Sequence, residues 1–220
     1  VEELNKEFGI DVYLDNDANV ATLAEYMFGA GKGTENLVYV TASTGVGGGA
    51  ILNGKIYRGS TSNALEVGHT TVNAFGRRCG CGNNGCVEAM ASGTAIMKAA
   101  KDAIESRVQT SLRKYDEVTS KEVFMEASKG DRVSKEIIEE AMSYLGVAVA
   151  NYANMLDPDI IVIGGGIIGA GDIVFEIVNK EIEKRCLGPI FRNCKVVKSD
   201  LGGKTGVLGA IALAMTESNK

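Results

Sequence analysis

The sequence predicts a mixed α/β fold, a β-sheet covered by helices. Three observations carry that expectation. Three short apolar runs follow one another between residues 37 and 57, and Asn53-Gly54, a strong two-residue hairpin signal, separates the last two. From residue 131 onward, helical and strand patterns alternate. The 28 glycines cluster at 29–33, 45–49, 76–85, 164–171 and 202–209, beside only 2 prolines, which marks tight turns and close backbone approach rather than disorder.

Taken in order, Val1–Phe8 is charged and helical in pattern, with Gly9 as its stop. Val12–Leu14 reads as a short strand ending in Asp15-Asn16-Asp17. Ala18–Phe28 reads as a helix with Leu23, Met27 and Phe28 among its apolar positions, and Asp17 is placed to cap it. Leu37–Ala42, Gly47–Leu52 and Lys55–Tyr57 are the meander strands, and His69–Val72 reads as one more short strand. Ser92 or Gly93 opens a helix to about Ser106, and Thr119-Ser120-Lys121-Glu122 has the form of a capping box for the next. Asp131–Leu156 is one long helix whose second half, Leu145-Gly146-Val147-Ala148-Val149-Ala150, is apolar and small and must be buried, in a core or a dimer interface. Asp157-Pro158 stops it. Ile160–Ile163 is an aliphatic strand running into Gly164-Gly165-Gly166, followed by a helix over Asp172–Cys186, a strand at Lys195–Lys198 and a C-terminal helix from about Val207.

A chain of 220 residues can bury a real core, as one large domain or two small ones. Apolar residues at 45% and charged residues at 23% are ordinary for a soluble globular protein. The formal net charge of −5 argues against binding a nucleic-acid backbone, which needs a basic stripe; it leaves nucleotides open, because these bind through glycine-rich backbone and metal ions. No apolar run reaches the length of a membrane span, and the charged start is unlike a signal peptide. A reduced, cytoplasmic setting is the expectation.

One stretch holds the only histidine and three of the five cysteines: Glu66-Val67-Gly68-His69, then Cys79-Gly80-Cys81-Gly82-Asn83-Asn84-Gly85-Cys86-Val87-Glu88. Loose reduced thiols are one reading, and Cys186 and Cys194, which lack a partner at ligand spacing, fit it. Five cysteines are too sparse for a disulfide framework. For His69, Cys79, Cys81 and Cys86 the count and spacing favour a tetrahedral structural Zn²⁺, with Gly80, Gly82 and Gly85 letting the backbone turn between the sulfurs. The order of ligands, with the histidine first, is not that of a nucleic-acid finger. Glu66 and Glu88 flank the ligands, so the knot could hold a polar substrate at its edge.

Thr41-Ala42-Ser43-Thr44-Gly45-Val46-Gly47-Gly48-Gly49-Ala50 lies where one strand turns into the next. Three glycines inside a strand suggest that something approaches the backbone closely, and hydroxyls beside bare N–H groups suit phosphate. A plain hairpin is the competing reading, and no Lys-Ser/Thr follows as in a Walker loop. Gly164-Gly165-Gly166 at a strand end suits a nucleotide at the sheet's carboxyl edge, or simply a tight turn. Asn16-Asp17 precedes a helix, and a carboxylate there is ionised at neutral pH and accepts a hydroxyl proton.

Together, Asn16-Asp17-Ala18-Asn19, Ser43–Ala50, Glu66-Val67-Gly68-His69, Cys79-Gly80-Cys81 with Gly85-Cys86-Val87-Glu88, and Ile163–Gly166 resemble the ROK family of bacterial sugar kinases and sugar-responsive repressors. The resemblance spans nearly the whole chain. It implies an actin-like ATPase lobe of the ribonuclease H type and glucokinase-like phosphorylation of a hexose by ATP and Mg²⁺, at the 6-hydroxyl of glucose or an N-acylhexosamine. It implies Asp17 as general base, with Asn16, Glu66, His69 and Glu88 also on the sugar. His69 would share its ring between zinc and sugar, and Cys79, Cys81 and Cys86 would complete a structural zinc. Ser43, Thr44, Gly45 and Gly47 would hold ATP phosphates, and Gly164, Gly165 and Gly166 would lie under the adenosine.

The Asp-x-Gly-x-Thr phosphate motif that opens the family's N-terminal lobe is absent from these 220 residues. The expectation is that residues 1–220 are the C-terminal lobe of a longer protein, a lobe that touches no nucleic acid itself and assembles as a homodimer or tetramer. The alternative function is the sugar-sensing effector domain of a repressor, and a third is a zinc-stabilised domain that only dimerises.

Overall fold

The computed structural model describes residues 1–218. β1 (Leu37–Ala42), β2 (Val46–Leu52) and β3 (Lys55–Ile56) form an antiparallel meander. β4 (Ile160–Gly164) adds parallel to the other side of β1, and β5 (Lys195–Lys198) parallel to β4, giving the order β3-β2-β1-β4-β5. The helices are α1 (Glu2–Phe8), α2 (Asp17–Phe28), α3 (Val87–Ala91), α4 (Gly93–Glu105), α5 (Ser120–Ser128), α6 (Arg132–Leu156), α7 (Ile173–Arg185), α8 (Gly188–Asn193) and α9 (Thr205–Glu217). The mixed sheet covered by helices is thus as expected. Among the described residues no helix is long and apolar enough to cross a membrane.

Both faces of the sheet are buried, which is why its central strands read as unbroken apolar runs. Successive side chains alternate between the faces. Leu37, Tyr39, Ile160 and Val162 point to one layer, which contains Leu23 of α2 and Ala212 and Leu213 of α9. Val38, Val40, Ile161 and Ile163 point to the larger layer, shared with Val87, Ile96, Ile138, Met142 and Leu145. At Asn53-Gly54 both residues have positive φ, 52° and 72°, the type I′ geometry the pair was expected to supply.

The structure corrects three expectations and decides between two alternatives for a fourth element. Val12–Leu14 is not a strand: Leu14 is 84% exposed and no strand pairs with it among the described residues. A local apolar pattern cannot supply a ladder partner, and both sides of β1 are already occupied. His69–Val72 is not a strand either; Val67–His69 is a 3₁₀ turn, and only Thr71 makes a bridge, to Cys86. The cap of α2 is Asn16, whose Oδ1 accepts the Ala18 N–H at 2.8 Å, so Asp17 is the first helical residue. The apolar half of α6 is buried in the chain's own core, with Leu145, Ala148, Val149 and Ala150 all at 0% exposure, so it gives no support to self-association.

Asp131 caps α6 as the chain pattern suggests. One oxygen accepts the Ser134 N–H (2.8 Å) and the Thr110 hydroxyl (3.0 Å), the other the Ser111 N–H (2.8 Å). Burial alone would raise this carboxyl, but those hydrogen bonds outweigh it and bring it down to about 2. The stability it lends is therefore complete above its unfolded value of about 3.9 and is lost as pH falls toward 2. Asp131→Asn keeps a capping side chain without the charge, so its acid unfolding should be flatter than wild type between pH about 4 and 2. Urea midpoints compared at pH 7, 4 and 2.5 test this; parallel pH curves would remove Asp131 from the acid limb.

Candidate functional site

The segment after β3 brings its four ligand candidates to one point. A ring nitrogen of His69 and the Sγ atoms of Cys79, Cys81 and Cys86 all lie within 4.8 Å of one another. Cys79 Sγ is 3.7 Å from His69 Nδ1, and Cys81 Sγ is 3.6 Å from Cys86 Sγ. Sulfurs about 2.3 Å from a shared tetrahedral zinc stand about 3.8 Å apart, while a disulfide needs about 2.05 Å. The donor set and spacing fit zinc, with no protein ligand missing. Burial, and then the neighbouring thiols, push Cys86 up to about 12, while the Asn83 backbone heads the contacts that lower Cys81. Three thiols ionise side by side only when a cation offsets their repulsion. Cys186 and Cys194 stay outside the cluster as ordinary thiols that burial raises, Cys194 to about 11.

Backbone hydrogen bonds set this geometry. Cys79 N–H donates to Asn83 C=O (2.7 Å), Val72 N–H to Gly85 C=O (2.9 Å) and Gly85 N–H to Arg77 C=O (2.8 Å). Gly85 is required: its φ is +66° and a Cβ there would sit 1.5 Å from the Asn73 carbonyl oxygen. Gly80 has no such need, with open space around it and no positive φ, which departs from the expectation that all three glycines shape the knot. The segment is pinned to α6 by Tyr152, whose hydroxyl donates to Val67 C=O at 2.7 Å and meets the Thr70 hydroxyl at 2.9 Å.

One cleft of about 360 Å³ is lined by Asn16, Asp17, Glu66, His69 and Glu88 together with Ser43, Thr44, Gly45 and Gly47. The residues singled out from distant parts of the sequence therefore face the same space. A second cavity, of about 590 Å³, is lined by Gly164, Gly165 and Gly166 with Lys198, Ser199, Gly202 and Gly203. Asp17, Ala18 and Thr41 line both. A third, of about 540 Å³, joins Ser43, Thr44 and Gly166 to Met97, Lys121 and Phe124. The Ser43–Gly45 turn thus lies where the polar cleft meets the more apolar one, and Asp17 where the polar cleft meets the glycine-lined one.

The turn is held from the metal segment and from α4. Glu88 accepts the Val46 N–H at 3.2 Å, and a Cβ on Gly45 would lie 2.5 Å from that carboxylate. Gly93 N–H donates to Ser43 C=O (2.7 Å), and the Thr94 hydroxyl to Thr44 C=O (2.8 Å). The neighbouring glycines have another reason. A Cβ at Gly48 would meet Tyr39 O and Val67, and one at Gly49 would meet Thr22, so the chain itself approaches this backbone. Gly164 similarly makes room for the Tyr39 hydroxyl. Gly166 has open space on its Cβ side, apart from Ser43 at 3.6 Å.

Sequence reasoning missed what locks Asn16-Asp17. Asp15 accepts from the Asn16 N–H and Asn19 Nδ2, both at 2.8 Å, and from Arg58 Nε at 2.7 Å; Arg58 also reaches Glu217 of α9 at 2.9 Å. Burial would raise Asp15, but the Asn19 and Arg58 contacts outweigh it and lower it. The i, i+4 pair Asp15–Asn19 was the legible signal; Arg58 carried none. Glu25, fully buried on α2, accepts from the Ser199 hydroxyl and the Ala30 N–H, fixing the loop after β5.

A model of the ROK family matches residues 1–217. A glucokinase of Halalkalibacterium halodurans is 37% identical over 99% of this chain and 68% of its own length. A xylose repressor of Caldicellulosiruptor bescii is 33% identical over 97% of this chain, which spans 54% of that protein. The crystal structure of a ROK family glucokinase from Streptomyces griseus in complex with glucose and AMPPNP superposes with a TM-score of 0.83 at 33% identity, covering 98% of this chain and 72% of that one.

Cys81→Ser should abolish stoichiometric zinc and loosen residues 66–88, read as lost metal by mass spectrometry and faster amide exchange at Val72 and Gly85. Full zinc occupancy in the variant would take Cys81 out of the ligand set. Tyr152→Phe should keep the metal but cost about 1 kcal/mol of stability by removing one hydrogen bond from the Val67 carbonyl, to which the Thr70 hydroxyl still donates; an unchanged urea midpoint would contradict that anchor.

Proposed function

This chain belongs to the ROK family, and on that premise we propose that it is the main lobe of a hexose kinase of the glucokinase type. The observation that carries the reading is the place of Asp17, on the wall shared by the polar cleft and the glycine-lined cavity. A base that takes a proton from a sugar hydroxyl must stand between the sugar and the phosphoryl donor, and phosphoryl transfer asks for alignment more than covalent help.

In this reading the polar cleft takes the hexose. Asn16 supplies an amide, Glu66 and Glu88 supply carboxylates, and His69 supplies the ring nitrogen left over from the metal. The Asp17 carboxylate accepts the proton of the 6-hydroxyl as its oxygen forms a bond to the γ-phosphorus of ATP and the bond to ADP breaks. Ser43, Thr44, Gly45 and Gly47 carry the phosphates with Mg²⁺. Gly164–Gly166 underlie the adenosine, and Met97 and Phe124 offer apolar surface for the base. His69, Cys79, Cys81 and Cys86 would hold a zinc, which would supply rigidity rather than reactivity, keeping His69 and the start of α3, and hence Glu88, in place. The second lobe, with its own phosphate motif, belongs to the longer protein of which these residues form the C-terminal part. The share of the glucokinase relative that this chain spans supports that arrangement.

A second reading, the sugar-sensing domain of a repressor, is favoured by the 33% identity to the xylose repressor over 97% of the chain. It keeps the same cleft and replaces turnover with signalling. A coupled assay of the full-length protein with ATP, Mg²⁺ and a panel of glucose, mannose, fructose, N-acetylglucosamine and N-acetylmannosamine separates the two. Turnover of one sugar supports the kinase; sugar binding without any turnover supports the repressor. Asp17→Asn should lower kcat by about 10²–10⁴ while sugar affinity stays within a few fold; near-normal turnover would end the base assignment.

A further inference from the structure

A fourth cavity, of about 330 Å³, plays no part in the reading above. Arg77 and Arg78, from the metal segment, and Lys98, from α4, line it together with Ser92 and Thr94. It shares Thr44, Gly45 and Glu88 with the polar cleft. Among the described residues none of the three cations forms an ion pair or a side-chain hydrogen bond. Arg78 and Lys98 are exposed and Arg77 half-buried, so solvent tolerates the three charges, but a concavity lined by one sign of charge focuses its field and draws anions.

The surroundings supply only part of the counter-charge. Three thiolates around a divalent zinc leave one net negative charge, and Glu88 adds another. Three cations exceed these two charges by one. Lys98 in particular is outside the metal segment, one turn along α4 from Thr94, on the same helix face. The first amides of α4 are already used: Gly93 and Thr94 donate to Ser43 and Thr44, and Ala95 to the Ser92 hydroxyl. Recognition in this cavity therefore falls to side chains, and two guanidiniums with an ammonium are the set that matches a phosphate: planar forks for paired oxygens and a mobile point charge.

We propose that this cavity is an anion subsite for phosphate or a phosphomonoester, taken as free phosphate or as the phosphate group of a sugar phosphate. It adjoins the nucleotide cavity at Thr44 and Thr94 and the polar cleft at Thr44, Gly45 and Glu88, but its three cations line neither, and it does not depend on whether the chain turns over a sugar.

The test is calorimetric titration of the metal-replete full-length protein with inorganic phosphate, with glucose 6-phosphate and with glucose, in wild type, Lys98→Glu and Arg77→Ala, with zinc content measured in each. Saturable phosphate binding that weakens tenfold or more in Lys98→Glu and Arg77→Ala, at unchanged zinc content, is the expected result. If glucose 6-phosphate weakens in parallel, its phosphate group uses this cavity; if only phosphate weakens, free phosphate is the ligand. Glucose affinity should be the same in wild type and Lys98→Glu, which reports on the sugar reading separately. If neither anion binds saturably, or neither loses affinity in Lys98→Glu, the three cations are only the charge environment of the metal cluster and the proposal falls.

Discussion

Four side chains between residues 69 and 86 must reach a single point, and the walls of the polar cleft follow from that constraint. Once His69, Cys79, Cys81 and Cys86 converge, the backbone on either side has little freedom. Glu66 lies three residues before the first ligand and Glu88 two after the last, so both carboxylates are positioned by the cluster. Glu88 in turn holds the Val46 amide and packs on Gly45, which passes the constraint to the turn between β1 and β2. Tyr152 anchors the segment to α6 from behind. Removing the cluster would therefore act on the cleft and on the turn between β1 and β2 together.

The other wall depends on a partly buried polar network. Asp15 gathers Asn16, Asn19 and Arg58, and Arg58 ties the pair Asn16-Asp17 to the end of α9. Asn16 caps α2, so Asp17 sits at the first helical position, where the positive end of the helix favours a carboxylate. The contacts that fix this corner come from chain segments far apart in sequence, Arg58 and Glu217 among them. Buried Glu25 holds the loop after β5 against the same helix, so α2 organises the glycine-lined cavity as well.

Much of the architecture was legible because its signals are local. Asn53-Gly54 states a type I′ turn, Thr119–Glu122 a capping box that forms as expected, and Ile160–Ile163 a strand buried on both faces. What the sequence misread or left open shares one cause. Val12–Leu14 has a strand's composition but no neighbour to pair with, and the apolar half of α6 could not say whether its partner was the same chain or another. The glycines at 47–49 announced a close approach without naming what approaches; at Gly48 and Gly49 it is Tyr39, Val67 and Thr22.

The sequence by itself determined the mixed sheet, the family and the residue types of the site, because turn chemistry, hydrophobic period and ligand spacing are properties of adjacent residues. Tertiary structure alone decided that the polar cleft and the glycine-lined cavity share Asp17, that Arg58 pairs with Asp15 two residues before it, and that Arg77, Arg78 and Lys98 line one cavity with no ion pair among the described residues. Those facts depend on how α2, α4, α9 and the metal segment pack on the sheet. Packing brings together residues up to more than a hundred positions apart, and no local pattern records which of them will meet.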